Sequence, residues 1–130
     1  MDVKQDRLRI LVVDDEPNVR QICARALSRS GYVVVEAVDA EEARQYLDQG
    51  RFALVILDIH LPNEDGISLL KHTQRVDPGL PAILMTGYPA METVMDSVRL
   101  GASEYLCKPF TMDSLLTAVA SALRDKRHEP

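Results

Sequence analysis

Short apolar runs alternate along the chain with segments in which apolar residues recur every three or four positions. The runs lie at residues 8–13, 32–36, 52–57, 82–85 and 104–106. A nearly continuous apolar run of this length is typical of a strand that is covered on both faces. The pattern therefore predicts five short strands, most of them buried.

A helix with one apolar stripe is predicted after each run. The first begins at Pro17 and ends before the Ser30-Gly31 pair, and Asp39 is a candidate cap for the second. The other stripes lie at residues 67–76, 91–98 and 112–124. Five strand-helix units of this length predict an α/β fold, with a doubly wound parallel sheet and helices on both faces. Its binding crevice is expected at the carboxyl ends of the strands.

Polar residues stand where four of the apolar runs stop. Asp14 and Asp15 end the first run, Asp58 the third, Thr86 the fourth and Lys108 the fifth. Each alone has an ordinary explanation as a turn residue or a solvated side chain. Together they would place three carboxylates, one hydroxyl and one ammonium on a single rim, which indicates a cation site with phosphate-binding groups beside it.

The acidic turn itself has two interpretations. Asp15 or Glu16 could cap the helix that Pro17 begins, since acidic residues suit a helix N-terminus. Alternatively, adjacent carboxylates that repel one another could be gathered to hold a cation. The turn alone does not decide between them.

Composition and charge narrow the class of protein. The 130 residues fit one domain, with a core at about residues 8–124 and a polar tail at 125–130. The net charge of -5 disfavours direct binding of nucleic acid or of an anionic membrane. Without an apolar run of ~20 residues or a signal-peptide core, we expect a cytoplasmic protein. Cys23 and Cys107 have no metal or redox spacing, so we expect both to be packing residues.

Four segments carry a resemblance to a known family: LVVDDEP, LVILDIHLPNEDG, ILMTGY and YLCKPF. Over nearly its whole length the chain resembles a receiver domain of bacterial two-component response regulators. The resemblance implies a flavodoxin-like fold whose five strands lie in the order 2-1-3-4-5. Leu61 and Gly87 are minor departures from the family pattern, and Glu64 stands where the family often has an apolar residue.

The resemblance also implies a chemistry. Asp58 would be the phosphoacceptor, and its carboxylate would take a phosphoryl group from a phosphohistidine. Attack on an anionic phosphoryl group requires charge neutralisation, for which the family uses Mg²⁺, with Mn²⁺ as an expected substitute. Asp15, Asp58 and the backbone carbonyl of His60 would be direct ligands, and Asp14 would act through water.

Further roles follow from the same resemblance. Lys108 would hold one phosphoryl oxygen and the Thr86 hydroxyl another. Thr86 and Tyr105 would form the conformational switch, while the side chains of His60 and Tyr88 would tune the lifetime of the phosphoryl group. The chain would not be a conventional enzyme, although it would catalyse its own Mg²⁺-dependent phosphorylation and slow autodephosphorylation.

The implied partners are a sensor histidine kinase or the phosphotransfer domain of a phosphorelay. Phosphorylation is expected to alter the surface of the fourth helix, fifth strand and fifth helix, around Met91, Met95 and Arg99. That surface would form a homodimer or dock an output domain.

Three alternatives remain at this point. A haloacid-dehalogenase-like phosphatase also uses a strand-end Asp with Mg²⁺, but it needs a second Asp where this chain has His60. A flavodoxin-like cofactor binder would need a phosphate-binding loop rich in Gly, Ser or Thr after the first strand, and this chain has acids there. A receiver-like interaction module without phosphorylation would not need the complete set of site residues.

Overall fold

The computed structural model describes residues 7–87 and 99–128, with side chains described as far as Arg124. In chain order, the elements are β1 (Arg9–Val13), α1 (Pro17–Arg29), β2 (Val33–Ala37), α2 (Ala40–Gln49), β3 (Leu54–Asp58), α3 (Gly66–Val76), β4 (Ala82–Thr86), β5 (Glu104–Cys107) and a C-terminal helix (Met112–His128). The strands form one parallel sheet in the order β2-β1-β3-β4-β5. The predicted α/β fold and strand order are confirmed, and the helix predicted at residues 91–98 lies outside the described residues.

Three strands extend one residue beyond the predicted apolar runs at their carboxyl ends. Asp58, Thr86 and Cys107 each belong to a strand, although the predicted strands stopped one residue earlier. The register pairs Asp58 with Met85 and Thr86 with Cys107, so backbone pairing continues past the last apolar residue. The acceptor candidate is therefore fixed by the sheet and not by a loop.

Helix ends follow the local sequence. The Asp39 side chain accepts a hydrogen bond from the Glu42 amide at 2.8 Å, which confirms its predicted role as a cap. The Asp65 side chain caps α3 in the same way, through the Ser68 amide at 2.8 Å. Gly31 follows α1 with a φ of 95°, a left-handed conformation that glycine adopts without steric cost.

The sheet has an apolar core on each face because successive strand residues point to opposite sides. One cluster joins Leu57 and Leu84 of the sheet to Leu69 of α3, and the other joins Ile56 of the sheet to Leu115 of the C-terminal helix. These cores hold the ends of β1, β3 and β4 rigidly in one layer. Such a frame lets polar side chains at the strand ends keep fixed relative positions.

The two cysteines differ. Cys23 is buried in the second core, where desolvation raises the pKa of its thiol to about 12, so its predicted packing role is confirmed. The same prediction is wrong for Cys107, which is exposed. It is the last residue of β5, an edge strand that has β4 on one side and no described strand on the other. Within the described part of the chain, no helix combines the length and apolarity needed to cross a bilayer.

Candidate functional site

The acidic turn after β1 is organised around Asp14. Its amide donates to the Ala37 carbonyl at 3.1 Å, and its Oδ1 accepts from the Glu16 amide at 2.9 Å. The side chain is fully buried. Burial raises the pKa of this carboxyl, and hydrogen bonding to Lys108 opposes that rise. Asp14 is therefore a buried acid that depends on a nearby cation to remain charged.

Arg20 fixes the same turn from α1. Its Nη1 donates to the Asp14 carbonyl at 2.7 Å, and its Nε lies 3.4 Å from Glu36 Oε1 on β2. The guanidinium thus connects the start of α1, the end of β1 and the neighbouring strand. This contact restrains the backbone from which Asp14 and Asp15 project.

Asp58 ends β3 and is only 4% exposed. Its Oδ1 accepts a hydrogen bond from the His60 amide at 3.0 Å. The following backbone turns sharply, since the Gly66 amide donates to the Ile59 carbonyl at 2.6 Å. A Cβ atom on Gly66 would lie 2.2 Å from the Asp58 carbonyl oxygen, so glycine is required for this approach. The loop therefore returns directly against the backbone of the acceptor candidate.

Lys108 brings the strand ends together. Its amide donates to the Thr86 carbonyl at 2.7 Å, and its Nζ lies 2.8 Å from Asp14 Oδ2 and 2.9 Å from Asp58 Oδ2. A third carboxylate, from Glu16, is also 2.9 Å from Nζ. Burial alone would lower the pKa of Lys108, but its hydrogen bonds to the three acids raise the pKa above its usual value. The ammonium is therefore fully charged at neutral pH.

The donor set fits a hard divalent cation. Asp14, Glu16 and Asp58 each offer a carboxylate oxygen, and these oxygens all lie within 4.8 Å of one another. Asp14 Oδ2 contacts the Lys108 ammonium at 2.8 Å and has no second partner among the described residues. A buried anionic oxygen with one partner can still bind a cation, and carboxylate oxygens are the ligands that Mg²⁺ prefers.

The rim of the site opens into a pocket of about 570 Å³. Asp15 and His60, both exposed, line it together with Asp58 and Lys108. Val19, Ile22, Pro109 and Phe110 contribute the apolar part of its lining. The pocket thus combines charged groups from the strand ends with apolar side chains, and it is open enough for a donor group to reach Asp58.

Comparison with known proteins shows which family has this arrangement of residues. The profile of the response regulator receiver domain family matches residues 10–120, most of the chain. The chain belongs to the response regulator receiver family. This membership does not favour the phosphatase alternative or a receiver-like module that is never phosphorylated.

Individual relatives agree with the family match. The receiver is 32% identical to response regulator protein PilR of Pseudomonas aeruginosa over 95% of this chain and 28% of PilR. It is 32% identical to sporulation initiation phosphotransferase F of Bacillus subtilis over 88% of this chain and 93% of that protein. A crystal structure of a CheY-like receiver domain protein from Methanospirillum hungatei has a TM-score of 0.90 at 31% identity, covering 95% of this chain and 99% of the other.

The length of these relatives varies. The receiver spans about a quarter of the length of PilR and of the other transcriptional regulators it matches. It spans nearly all of sporulation initiation phosphotransferase F. The shared part is thus the receiver itself.

The structure assembles most of the predicted site of this receiver. Asp14 and Asp58 meet around Lys108, Thr86 lies buried at the end of the adjacent strand, and Asp15 and His60 line the pocket. Tyr88 lies outside the described residues. The assigned roles of these residues remain predictions.

Tyr105 lies apart from the rim, on β5 and partly buried against the first core. Its hydroxyl is buried and, among the described residues, has no hydrogen-bond partner. Desolvation raises the pKa of the phenol, with a smaller contribution from Cys107.

Glu16 is the member of the site that the sequence did not single out as a ligand candidate. It occupies the N-cap position of α1, but its side chain makes no capping hydrogen bond and instead accepts one from Lys108 at 2.9 Å. The sequence did show Glu16 as the third acidic residue of the turn. Its interpretation as a cap is wrong because the carboxylate contacts the Lys108 ammonium and not the amides of the first helical turn.

Proposed function

We propose that this receiver domain takes a phosphoryl group onto Asp58 from a phosphohistidine of a sensor histidine kinase or a phosphotransfer domain. The observation that carries the proposal is the contact of Lys108 Nζ with Asp58 Oδ2 at 2.9 Å at the floor of an open pocket. One carboxylate oxygen bonds to phosphorus as the phosphorus-nitrogen bond breaks, and the electron pair of that bond leaves with the histidine nitrogen. The product is an acyl phosphate on Asp58.

Mg²⁺ is the proposed cofactor, with Mn²⁺ as a substitute, and it would neutralise phosphoryl charge during the transfer. Asp15, Asp58 and the His60 carbonyl are the proposed direct ligands, and Asp14 would act through water. The exposure of Asp15 in the pocket and the full burial of Asp14 beside Lys108 support this division. Glu16, whose carboxylate lies with those of Asp14 and Asp58, is a further candidate in the same cluster.

Lys108 and Thr86 would bind the transferred group. The Lys108 ammonium already contacts Asp58 and would exchange a carboxylate oxygen for a phosphoryl oxygen with little movement. The backbone of Thr86 pairs with β5 and accepts a hydrogen bond from the Lys108 amide. This pairing fixes the backbone that carries the Thr86 hydroxyl beside Lys108. The side chains of His60 and Tyr88 are proposed to tune water access, and so the rate of autodephosphorylation.

The output is proposed to run through Tyr105. Phosphorylation would draw the Thr86 hydroxyl toward the phosphoryl group, and the Tyr105 ring would fill the space released. The surface of the fourth helix, fifth strand and fifth helix would then bind an output domain or a second copy of this chain, in the cytoplasm and without direct contact with nucleic acid. The larger size of regulators such as PilR is compatible with an output domain.

Phosphorylation is tested by incubating the protein with acetyl phosphate and Mg²⁺ and measuring its intact mass. We expect one added phosphoryl group, which disappears in Asp58→Asn and in the presence of EDTA. Asp48→Asn, an identical change on the exposed face of α2, is the matched control and should label like the parent. Undiminished labelling of Asp58→Asn would contradict the assignment.

A further inference from the structure

Glu64 departs from the family pattern, and the structure shows a specific partner for it. Both oxygens of its carboxylate face the Arg44 guanidinium on α2: Oε1 accepts from Nη1 at 2.6 Å, and Oε2 accepts from Nη2. The side chains are 36% exposed at Arg44 and 22% exposed at Glu64. Two parallel hydrogen bonds between planar groups fix direction as well as distance, which distinguishes this contact from a loose surface pair.

The pair connects α2 with the loop that follows β3. Residues 59–65 link β3 to α3, and their beginning is packed in the first core through Ile59 and Leu61. The tip at Pro62 and Asn63 is exposed, with Asn63 in a left-handed conformation at a φ of 69°. A pocket of about 290 Å³ lies between this tip and the start of α2. At the exposed tip, the ion pair therefore adds a polar connection to the apolar packing that the loop and α2 share in the first core.

This loop is also the segment that contacts the acceptor. The His60 amide donates to Asp58 Oδ1 at 3.0 Å, and at the other end Gly66 packs against the Asp58 backbone. Displacement of the tip would move both ends of the loop relative to the carboxylate. The position of the loop thus bears on Asp58 even though Arg44 lies on a different helix.

We propose that Arg44 and Glu64 form a latch that holds the 59–65 loop in place over the acceptor, and that Arg44 is a positioning residue for Mg²⁺ binding and phosphorylation at Asp58. The proposal rests on the proposed function. It adds to that function a residue on α2 that lies outside the rim of strand-end residues and controls the position of the loop. An exposed ion pair without this role would contribute little and would leave the chemistry at Asp58 unchanged.

The latch is tested with Arg44→Gln, Glu64→Gln and the exchanged pair Arg44→Glu with Glu64→Arg. Amide hydrogen exchange of residues 60–65 is measured first, because it reports loop position without any labelling. The second measurement is the Mg²⁺ concentration that gives half-maximal labelling by acetyl phosphate. Asp48→Asn on the exposed face of α2 and Arg25→Gln on the exposed face of α1 are the charge-matched controls.

We expect each single variant to exchange about fivefold faster in the loop and to need roughly three to ten times more Mg²⁺, with the exchanged pair restoring most of both. The controls should match the parent. Unchanged loop exchange in both single variants overturns the latch. Faster exchange with an unchanged Mg²⁺ requirement overturns the positioning role but leaves phosphorylation of Asp58 standing. Absence of labelling in the parent protein would instead overturn the proposed function, and with it the positioning role of Arg44.

Discussion

Lys108 faces three carboxylates at once, and this contact sets the charge balance of the pocket. Asp14 is the most demanding of the three because it is fully buried and has its pKa raised by that burial. The ammonium compensates part of the negative charge of the three carboxylates, and a divalent cation can compensate the rest. Without it, the acids would repel one another in a region of low polarity.

Lys108→Met should therefore lower the free energy of unfolding by about 2–4 kcal/mol at neutral pH, measured by urea denaturation in EDTA. Because the pKa of Asp14 is raised in the folded protein, ionising this carboxyl as the pH rises lowers the free energy of unfolding. The deficit of the variant should consequently be smaller at an acidic pH below the raised pKa of Asp14, where this carboxyl takes up a proton. Mg²⁺ should stabilise the variant more than the parent.

Lys71→Met, at an exposed position on α3, is the control and should change stability little. A Lys108→Met protein that unfolds at the same urea concentration as the parent would contradict the charge balance described for the pocket. An equal deficit at both pH values would show that Asp14 is not the acid that the ammonium stabilises.

At the scale of helices and strands, the sequence predicts contacts that follow from strand order but not those that depend on how a helix packs. Parallel strands end at one edge, so the meeting of Asp58 and Lys108 followed from the order of elements alone. The contact between Arg44 and Glu64 did not, because side chains 20 residues apart meet only through the way α2 packs beside the loop. The exposure of Cys107 is a different case: the expected strand order already places β5 at the edge of the sheet, but the apolar run beside Cys107 suggested burial.

The loop between β3 and α3 gives a prediction at the same scale. Gly66→Ala places a methyl group where a Cβ would lie 2.2 Å from the Asp58 carbonyl oxygen, so the loop or the end of β3 must shift. We expect a loss of about 2 kcal/mol in the free energy of unfolding, together with slower labelling by acetyl phosphate. Thermal unfolding and the intact-mass time course measure the two effects.

Gly87→Ala is the matched control in the same site, since among the described residues its Cβ would meet the Lys108 side chain alone, at an ordinary contact distance of 3.9 Å. It should retain both stability and labelling. If the two alanine variants behave alike, close approach of Gly66 to the acceptor is not what positions Asp58.

At the scale of the whole molecule, the sheet provides a path from the site to a distant surface. Thr86 pairs with Cys107, and Leu84 pairs with Tyr105. Because side chains two residues apart in a strand share a face, Thr86 and Tyr105 lie on the same side of the sheet, on neighbouring strands. The Tyr105 ring packs against the first core, and among the described residues its buried hydroxyl has no hydrogen-bond partner. Such a side chain loses no described hydrogen bond when it moves.

We therefore expect the acyl-phosphate mimic beryllofluoride, added with Mg²⁺, to shift the amide signals of β5 and Arg99 as well as those near Asp58. A differential hydrogen bond to Thr86 of ~1.5–3 kcal/mol is enough to shift a two-state equilibrium about tenfold or more. Thr86→Ala should confine the shifts to the rim, whereas Thr86→Ser keeps the hydroxyl and should preserve the distant response. Thr117→Ala, exposed on the C-terminal helix, controls for the loss of a threonine.

Tyr105→Phe distinguishes the ring from its hydroxyl in the same experiment. Since the hydroxyl has no described hydrogen bond to lose, the phenylalanine variant should respond to beryllofluoride like the parent, while Tyr105→Ala should not. Sedimentation of each sample shows whether the response at β5 also creates a dimer. A full distant response in Thr86→Ala, or one that survives Tyr105→Ala, would mean that the coupling bypasses this pair and crosses the sheet elsewhere.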